Sequence, residues 1–354
     1  MKNKLKALKI KNIEISIPII QGAMGVRVSA SRLVSAVSGE GALGVIASVG
    51  LGEEGGYGQF DYVKRSKIAL SEIITETKNK TSNPFGVNIM CALSNYDDLV
   101  KVCAENDVPV IFSGAGLPLN LPALVGNKDI ALVPIVSSGR AADIICRAWK
   151  RKYNRIPDAF VVEGPMAGGH LGFGIDEIDS TELKTIFRDV QNVLRKDYDK
   201  ADIPLVAAGG IFTGEDIAFY LREGASGVQM ATRFIGTIEC DASDEFKKEV
   251  LRSKQGDSIV IESPVKLPGR VIKNNFVEKI LNGDKIDFKC KYKCLKTCDV
   301  GNVNYCIADA LVNAYRGNME RGFVMAGANC YRVNQIVSVR SLIKELVEGA
   351  VRSM

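Results

Sequence analysis

VAAGGI (residues 206–211) and GVQMATRF (residues 227–234) are the two stretches whose reading decides the fold. Each is a short, continuously apolar run that breaks off into small or polar residues, and helix-like sequence lies between them. Unbroken apolar runs of this length suit parallel strands covered on both faces, whereas a strand with one wet face would alternate. Toward the amino end the same beat recurs, giving runs at 17–22, 44–47, 86–89, 109–112, 131–136, 159–163, 204–208 and 227–230. Eight such strands alternating with helices point to a (β/α)8 or TIM barrel ahead of an open doubly wound sheet. The expected fold class is α/β.

The rest of the chain fits a barrel with something attached. Its 354 residues are 46% apolar and carry 46 Lys plus Arg against 41 Asp plus Glu, which supports a sizeable core and excludes disorder as the main state. The last run ends at 230, so the expected division is a barrel over residues 1–260 and a carboxy-terminal extension over 261–354. The extension differs in kind. Residues 247–299 carry a surplus of +6 against +5 for the whole chain, and five of the nine cysteines lie beyond residue 289. Helical periodicity returns over 307–315 and 338–351, the second through Leu342, Ile343, Leu346, Val347 and Val351. The extension therefore reads as mostly helical and packed on the barrel.

Several classes of function fall away on composition. A net charge of +5 is small for an extended nucleic-acid-binding face. No apolar run approaches the ~18 residues of a membrane span. The amino end alternates basic and apolar residues and lacks the apolar core of a signal peptide. Cys91, Cys103, Cys146 and Cys240 stand singly among apolar neighbours, as buried reduced thiols do, so a cytoplasmic location is expected.

In a barrel of this kind the active site is built at the carboxyl ends of the strands. Here those ends read QGAMG (21–25), Asn88, SGAG (113–116), EGPMAGGHLGFG (163–174), AAGGI (207–211) and QMATRF (229–234). Glycines let backbone amides approach a flat or anionic ligand. Loops seven and eight are the barrel's usual phosphate site, where amides of Gly209, Gly210, Ala231 and Thr232 would hold the anion without a basic side chain. The plainer alternative is that these glycines only make tight turns.

His170 is the chain's only histidine and follows Ala167, Gly168 and Gly169. A surface-facing imidazole on such bare backbone can lie against a ligand and exchange protons near neutral pH; the alternative is a satisfied structural histidine. A lone histidine excludes zinc sites built on two or three histidines. No GxSxG elbow and no Rossmann fingerprint is present.

PIIQGAMG, FGVNIM, FSGAG, VEGPMAGGHLG, VAAGGI and GVQMATRF, in that order over residues 8–240, resemble the FMN-dependent barrel enzymes. That family comprises nitronate monooxygenases (2-nitropropane dioxygenases) and flavin-type enoyl-ACP reductases. The resemblance implies FMN, its phosphate on the loops named above and its ring across Ala23, Met24 and Asn88. It also implies Ser137 and Glu163 nearby, with Gly169, Gln229 and Met230 in the cofactor site. His170 matches the family's active-site histidine.

For the monooxygenase the implied reaction is oxidation of an alkyl nitronate by oxygen to a carbonyl compound and nitrite, with amides near Gly22 and Gly25 holding the substrate. For the reductase it is reduction of an enoyl thioester with NAD(P)H. Ala231 and Leu117 depart from the family, where glycine and asparagine are common. The loops 163–173 and 114–118 favour the monooxygenase, and the reductase stays open as the alternative. A barrel binding FMN only as a structural or sensing ligand is the non-enzymatic reading. A small-molecule substrate is the expected partner, with a homodimer admitted and an acyl carrier protein under the reductase alternative only.

The sequence CKYKCLKTCDVGNVNYC places Cys290, Cys294 and Cys298 four apart, on one face if helical, with Cys306 returned by a turn. Lacking the CxxC pairs of most zinc sites, these read as reduced or partly paired structural thiols, and no metal is assigned.

Overall fold

The structure, a computed structural model, describes residues 5–53, 62–126, 128–290 and 293–354. Each of the eight apolar runs is a strand: β1 Ile19–Gln21, β2 Gly44–Ala47, β3 Phe85–Met90, β4 Val110–Gly114, β5 Ala131–Val136, β6 Phe160–Glu163, β7 Leu205–Ala208 and β8 Gly227–Met230. All neighbouring pairs are parallel, from β2 through β7 to β8 and on to β1. The ring closes between β1 and β2, where Leu43 N–H donates to Ile19 O and Gln21 N–H to Leu43 O, both at 2.9 Å. The chain is therefore a (β/α)8 barrel with helices between its strands and a mostly helical carboxy-terminal part.

Successive side chains of a strand face opposite ways, and both faces here are apolar because both are covered. Val45, Val110, Phe112, Val133, Val161 and Val206 pack together in one buried cluster. Ile46, Ile111, Leu132, Val162 and Ala207, their sequence neighbours, pack with the surrounding helices. Leu8, Ile10 and Ile15 of an antiparallel hairpin, Leu8–Ile10 with Ile13–Ile15, join the first cluster and plug the barrel. The alternation of basic and apolar residues at the amino end is thus the in-and-out pattern of this hairpin.

Helix starts follow local chemistry. Ser138 Oγ accepts the Ala141 N–H at the head of Gly139–Tyr153. Thr213 and Asp216 cap Gly214–Arg222 reciprocally. In the last helix, Val339–Ser353, the caps and the buried Leu342, Ile343 and Leu346 match the periodicity read from sequence.

The carboxy-terminal part reaches the site through two strands that the sequence did not announce. Ser258–Glu262 pairs antiparallel with Pro268–Ile272, and the latter pairs with Gly169–His170, so a three-stranded sheet forms around the histidine loop. Two expectations need correction. His170 is not a surface-facing loop residue, because strand pairing to Gly269 shields it. The cysteine segment is not helical: among the described residues between Asn275–Leu281 and Ile307–Tyr315 only the single turn Val300–Asn302 forms. Among the described residues, no helix is long and apolar enough to cross a membrane.

Candidate active site

The carboxyl ends of the strands open into two joined cavities of about 200 and 120 Å³. Ala23, Asn88, Glu163, Ala231 and Thr232 line both. The larger adds Met24, Gly169 and His170, and the smaller adds Gly209, Gly210, Gln229 and Met230. The structure thus brings together every expected site residue but Ser137. That residue packs against Gly172, where an added Cβ would stand 2.7 Å from its Oγ, and lines neither cavity.

The smaller cavity takes in several glycines, Gly22, Gly168, Gly209, Gly210 and Gly327. Gly209 and Gly210 have φ of +93° and +90°, the left-handed region that side chains disfavour. A Cβ on Gly209 would lie 2.7 Å from Gly164 O, and one on Gly210 would lie 3.0 Å from Met166 Cβ. Glycine is therefore required here by conformation and by space. The smaller cavity takes in Ala231 and Thr232 beside these glycines, and bare amides around a concave space suit an anion.

The larger cavity holds the titratable groups. His170 Nε2 is 2.8 Å from Ser263 Oγ, and among the described residues Nδ1 has no protein partner. Burial lowers the imidazole's pKa from 6.5 to about 4, so it is neutral at pH 7. Burial raises Glu163, at the end of β6, to about 7, so its carboxyl is available in both protonation states near neutrality. Away from these groups the wall is apolar, with Tyr62, Val265, Leu295, Ile307 and Leu311.

Four contributors from the carboxy-terminal part were not foreseen. Besides Ser263, buried Arg270 donates from Nη2 to Pro165 O at 3.0 Å and holds the loop leading to His170. Gly327 N–H donates to Thr232 Oγ1 at 2.9 Å, and Asn329 Nδ2 donates to Gly210 O at 2.7 Å, tying the loops after β7 and β8 to one segment. A signal was present in MAGAN (325–329), a run of small residues like MAGGH (166–170), but it lies far from any barrel strand in the chain.

Comparison with known proteins agrees with this architecture. A family model described as nitronate monooxygenase matches residues 6–349. The chain is 29% identical over 273 residues to a (3aS,4S,5R,7aS)-5-hydroxy-7a-methyl-1-oxo-octahydro-1H-indene-4-carboxyl-CoA dehydrogenase of Mycobacterium tuberculosis, covering 77% of this chain and 68% of that protein. It is 25% identical over 382 residues to a probable nitronate monooxygenase of Staphylococcus aureus, covering 97% and 99%. Among solved structures, FabK from Thermotoga maritima superposes with a TM-score of 0.75 at 28% identity, covering 96% of this chain and 94% of that one.

Proposed function

The chain belongs to the nitronate monooxygenase family and is an oxidoreductase, and from that premise we propose that it binds FMN and oxidises alkyl nitronates with oxygen to a carbonyl compound and nitrite. One observation carries the reading: a glycine-walled anion cavity joins, through Ala23, Asn88 and Glu163, a chamber holding a single neutral histidine. The cavities suit a flavin mononucleotide, since Gly209 and Gly210, held at positive φ, bring their backbone without side chains to the smaller cavity that adjoins the histidine chamber. Gly209, Gly210, Ala231 and Thr232 would hold the phosphate, and Ala23, Met24 and Asn88 would lie along the ring. Bound there, FMN would supply the redox chemistry that the oxidation of a nitronate by oxygen requires.

The chain's own residues do the rest. Met24 N–H is fixed on Ser29 Oγ at 2.8 Å and Asn88 O accepts from Ser48 Oγ at 2.8 Å, so the floor of the chamber is rigid. With Nε2 held by Ser263, Nδ1 of His170 is the atom that orients the nitro group and takes or returns a proton. Neutral imidazole avoids trapping the anionic substrate in a tight ion pair. Glu163, which lines both cavities, has a hydrogen-bond donor to offer a ligand when protonated. In this reading the barrel of residues 1–260 binds cofactor and substrate, the extension of 261–354 roofs them, and Ser137 supports the loop through Gly172.

A second reading, reduction of an enoyl thioester with NAD(P)H, is favoured by the apolar wall of Val265, Leu295, Ile307 and Leu311. A relative named as a CoA-ester dehydrogenase points the same way. The test is a side-by-side assay of FMN-loaded protein with an alkyl nitronate under air and with crotonyl thioester plus NADH or NADPH. Nitrite without nicotinamide is expected. Rapid thioester reduction with negligible nitrite would reverse the order.

A further inference from the structure

Residues 325–329, MAGAN, lie outside every barrel strand yet reach both cavities. Met325 and Ala326 line the larger cavity, and Gly327 and Asn329 line the smaller. The run follows directly on Phe323 and Val324, both fully buried, and Val324 O accepts the Ile272 N–H at 2.9 Å. Its approach is therefore fixed from the core side.

The segment crosses the loops of three neighbouring strands. Ala328 N–H donates to Met166 O at 3.0 Å after β6, Asn329 Nδ2 to Gly210 O at 2.7 Å after β7, and Gly327 N–H to Thr232 Oγ1 at 2.9 Å after β8. The fit is close. A Cβ on Gly327 would stand 2.9 Å from Met166 O, and one on Gly168 would stand 2.5 Å from the Ala326 carbonyl carbon. Just beyond, the Arg332 guanidinium lies 4.4 Å from the centre of the Phe212 ring and extends the contact along the loop after β7.

That loop has little else to hold it. Phe212 and Thr213 N–H both donate to Asp216 Oδ2 at 2.9 Å, but among the described residues the N–H groups of Gly209, Gly210 and Ile211 make no hydrogen bond. Three consecutive unbonded amides beside a cavity suit an anion. Over residues 209–211 the Asn329 bond to Gly210 O is the single hydrogen bond among the described residues. A carbonyl and the N–H that follows it share one peptide plane, so a grip on Gly210 O also fixes the direction of the Ile211 N–H.

We propose that Asn329 is the positioning residue of the anion site: by holding Gly210 O it sets the direction of the unbonded amides that take the phosphate of FMN. The proposal rests on the FMN reading above and deepens it, because it makes the carboxy-terminal part a component of the cofactor site as well as its roof.

The test compares FMN with riboflavin, which lacks only the phosphate, by fluorescence titration of full-length protein. Asn329→Leu keeps the side chain's size and removes the donor. It should weaken FMN about 10-fold or more, the scale of a hydrogen bond to a charged group, and leave riboflavin within about twofold of wild type. Asn329→Ala, which cannot overfill the site, should show the same selectivity and guards against a leucine variant that fails to fold. Equal weakening of both flavins would make the residue merely structural and overturn the proposal, as would unchanged FMN affinity. Gly209→Ala displaces the loop by itself, since its Cβ would stand 2.7 Å from Gly164 O. Adding Asn329→Leu to that variant should therefore cost less than about twofold more. A further loss as large as in the wild-type background would make Asn329 a direct ligand contact and overturn the positioning role. Wild type that holds FMN no tighter than riboflavin overturns the phosphate reading and this proposal with it, whereas a preference for FMN that survives in both Asn329 variants overturns this proposal alone.

Discussion

Gly209→Ala separates backbone strain from loss of the anion site, because a second glycine provides the strain alone. Gly209 has φ +93° and its added Cβ would stand 2.7 Å from the Gly164 carbonyl oxygen, a backbone atom held by the Gly164 N–H bond to Ala208 O at 2.9 Å. Gly256 has φ +95°, but nothing lies within 4 Å of its added Cβ. Either alanine costs roughly 1–2 kcal/mol for the left-handed conformation. At Gly209 the loop must also move, which withdraws at least one amide from the phosphate. A hydrogen bond to a charged group is worth about 1.5–3 kcal/mol, or about 10- to 100-fold in dissociation constant. Fluorescence titration with FMN and thermal unfolding read the two effects apart. Gly256→Ala should lose stability with unchanged affinity, while Gly209→Ala should lose both. FMN binding within about twofold of wild type in Gly209→Ala, at the stability of Gly256→Ala, would refute the phosphate assignment.

Three further outcomes are expected. His170→Ala should keep FMN and lose about 10²- to 10⁴-fold in turnover, the usual scale of acid–base assistance; flavin loss in proportion to activity would make the residue structural. Ser263→Ala should lower turnover less and leave FMN affinity unchanged, since it removes one bond worth about 0.5–1.5 kcal/mol that orients the imidazole; wild-type turnover across the pH range would remove Ser263 from the account. Stability against pH tests the buried pair in flavin-free protein. Folded His170 at about 4 against 6.5 makes its contribution present above 6.5 and lost as pH falls toward 4. Folded Glu163 at about 7 against 4.5 makes its contribution present below 4.5 and lost as pH rises toward 7. The two oppose each other between about 4.5 and 6.5. Glu163→Gln should therefore steepen the fall in Tm on acidification, and an unchanged slope would contradict the burial of one of them.

The barrel was legible because its strands are covered on both faces, which writes them as unbroken apolar runs from 17–22 to 227–230. The residues that line the two cavities followed, since strand ends of this fold open into the site. What was missed depends on chain that returns from far away. The burial of His170 comes from Ser263 and Gly269, nearly a hundred residues later, and its strand is only two residues long, too short to leave a periodic signal. Gly327 and Asn329 reach the loops after β7 and β8 by hydrogen bonds of backbone and amide groups, which any sequence can supply. The cysteines at intervals of four imitate a helical face, but the segment is held by pairing to residues 92–94 and by the Ile286 to Asn304 bond.

The central claim is that a nitronate itself reduces the flavin in this chamber. Anaerobic mixing of the FMN-loaded protein with an alkyl nitronate, with no nicotinamide present, should bleach the flavin's visible absorption within the time of turnover. Admitting air should then restore the absorption and release nitrite. A flavin that stays oxidised with nitronate, is bleached by NADH or NADPH, and recovers on adding crotonyl thioester without air would contradict the account.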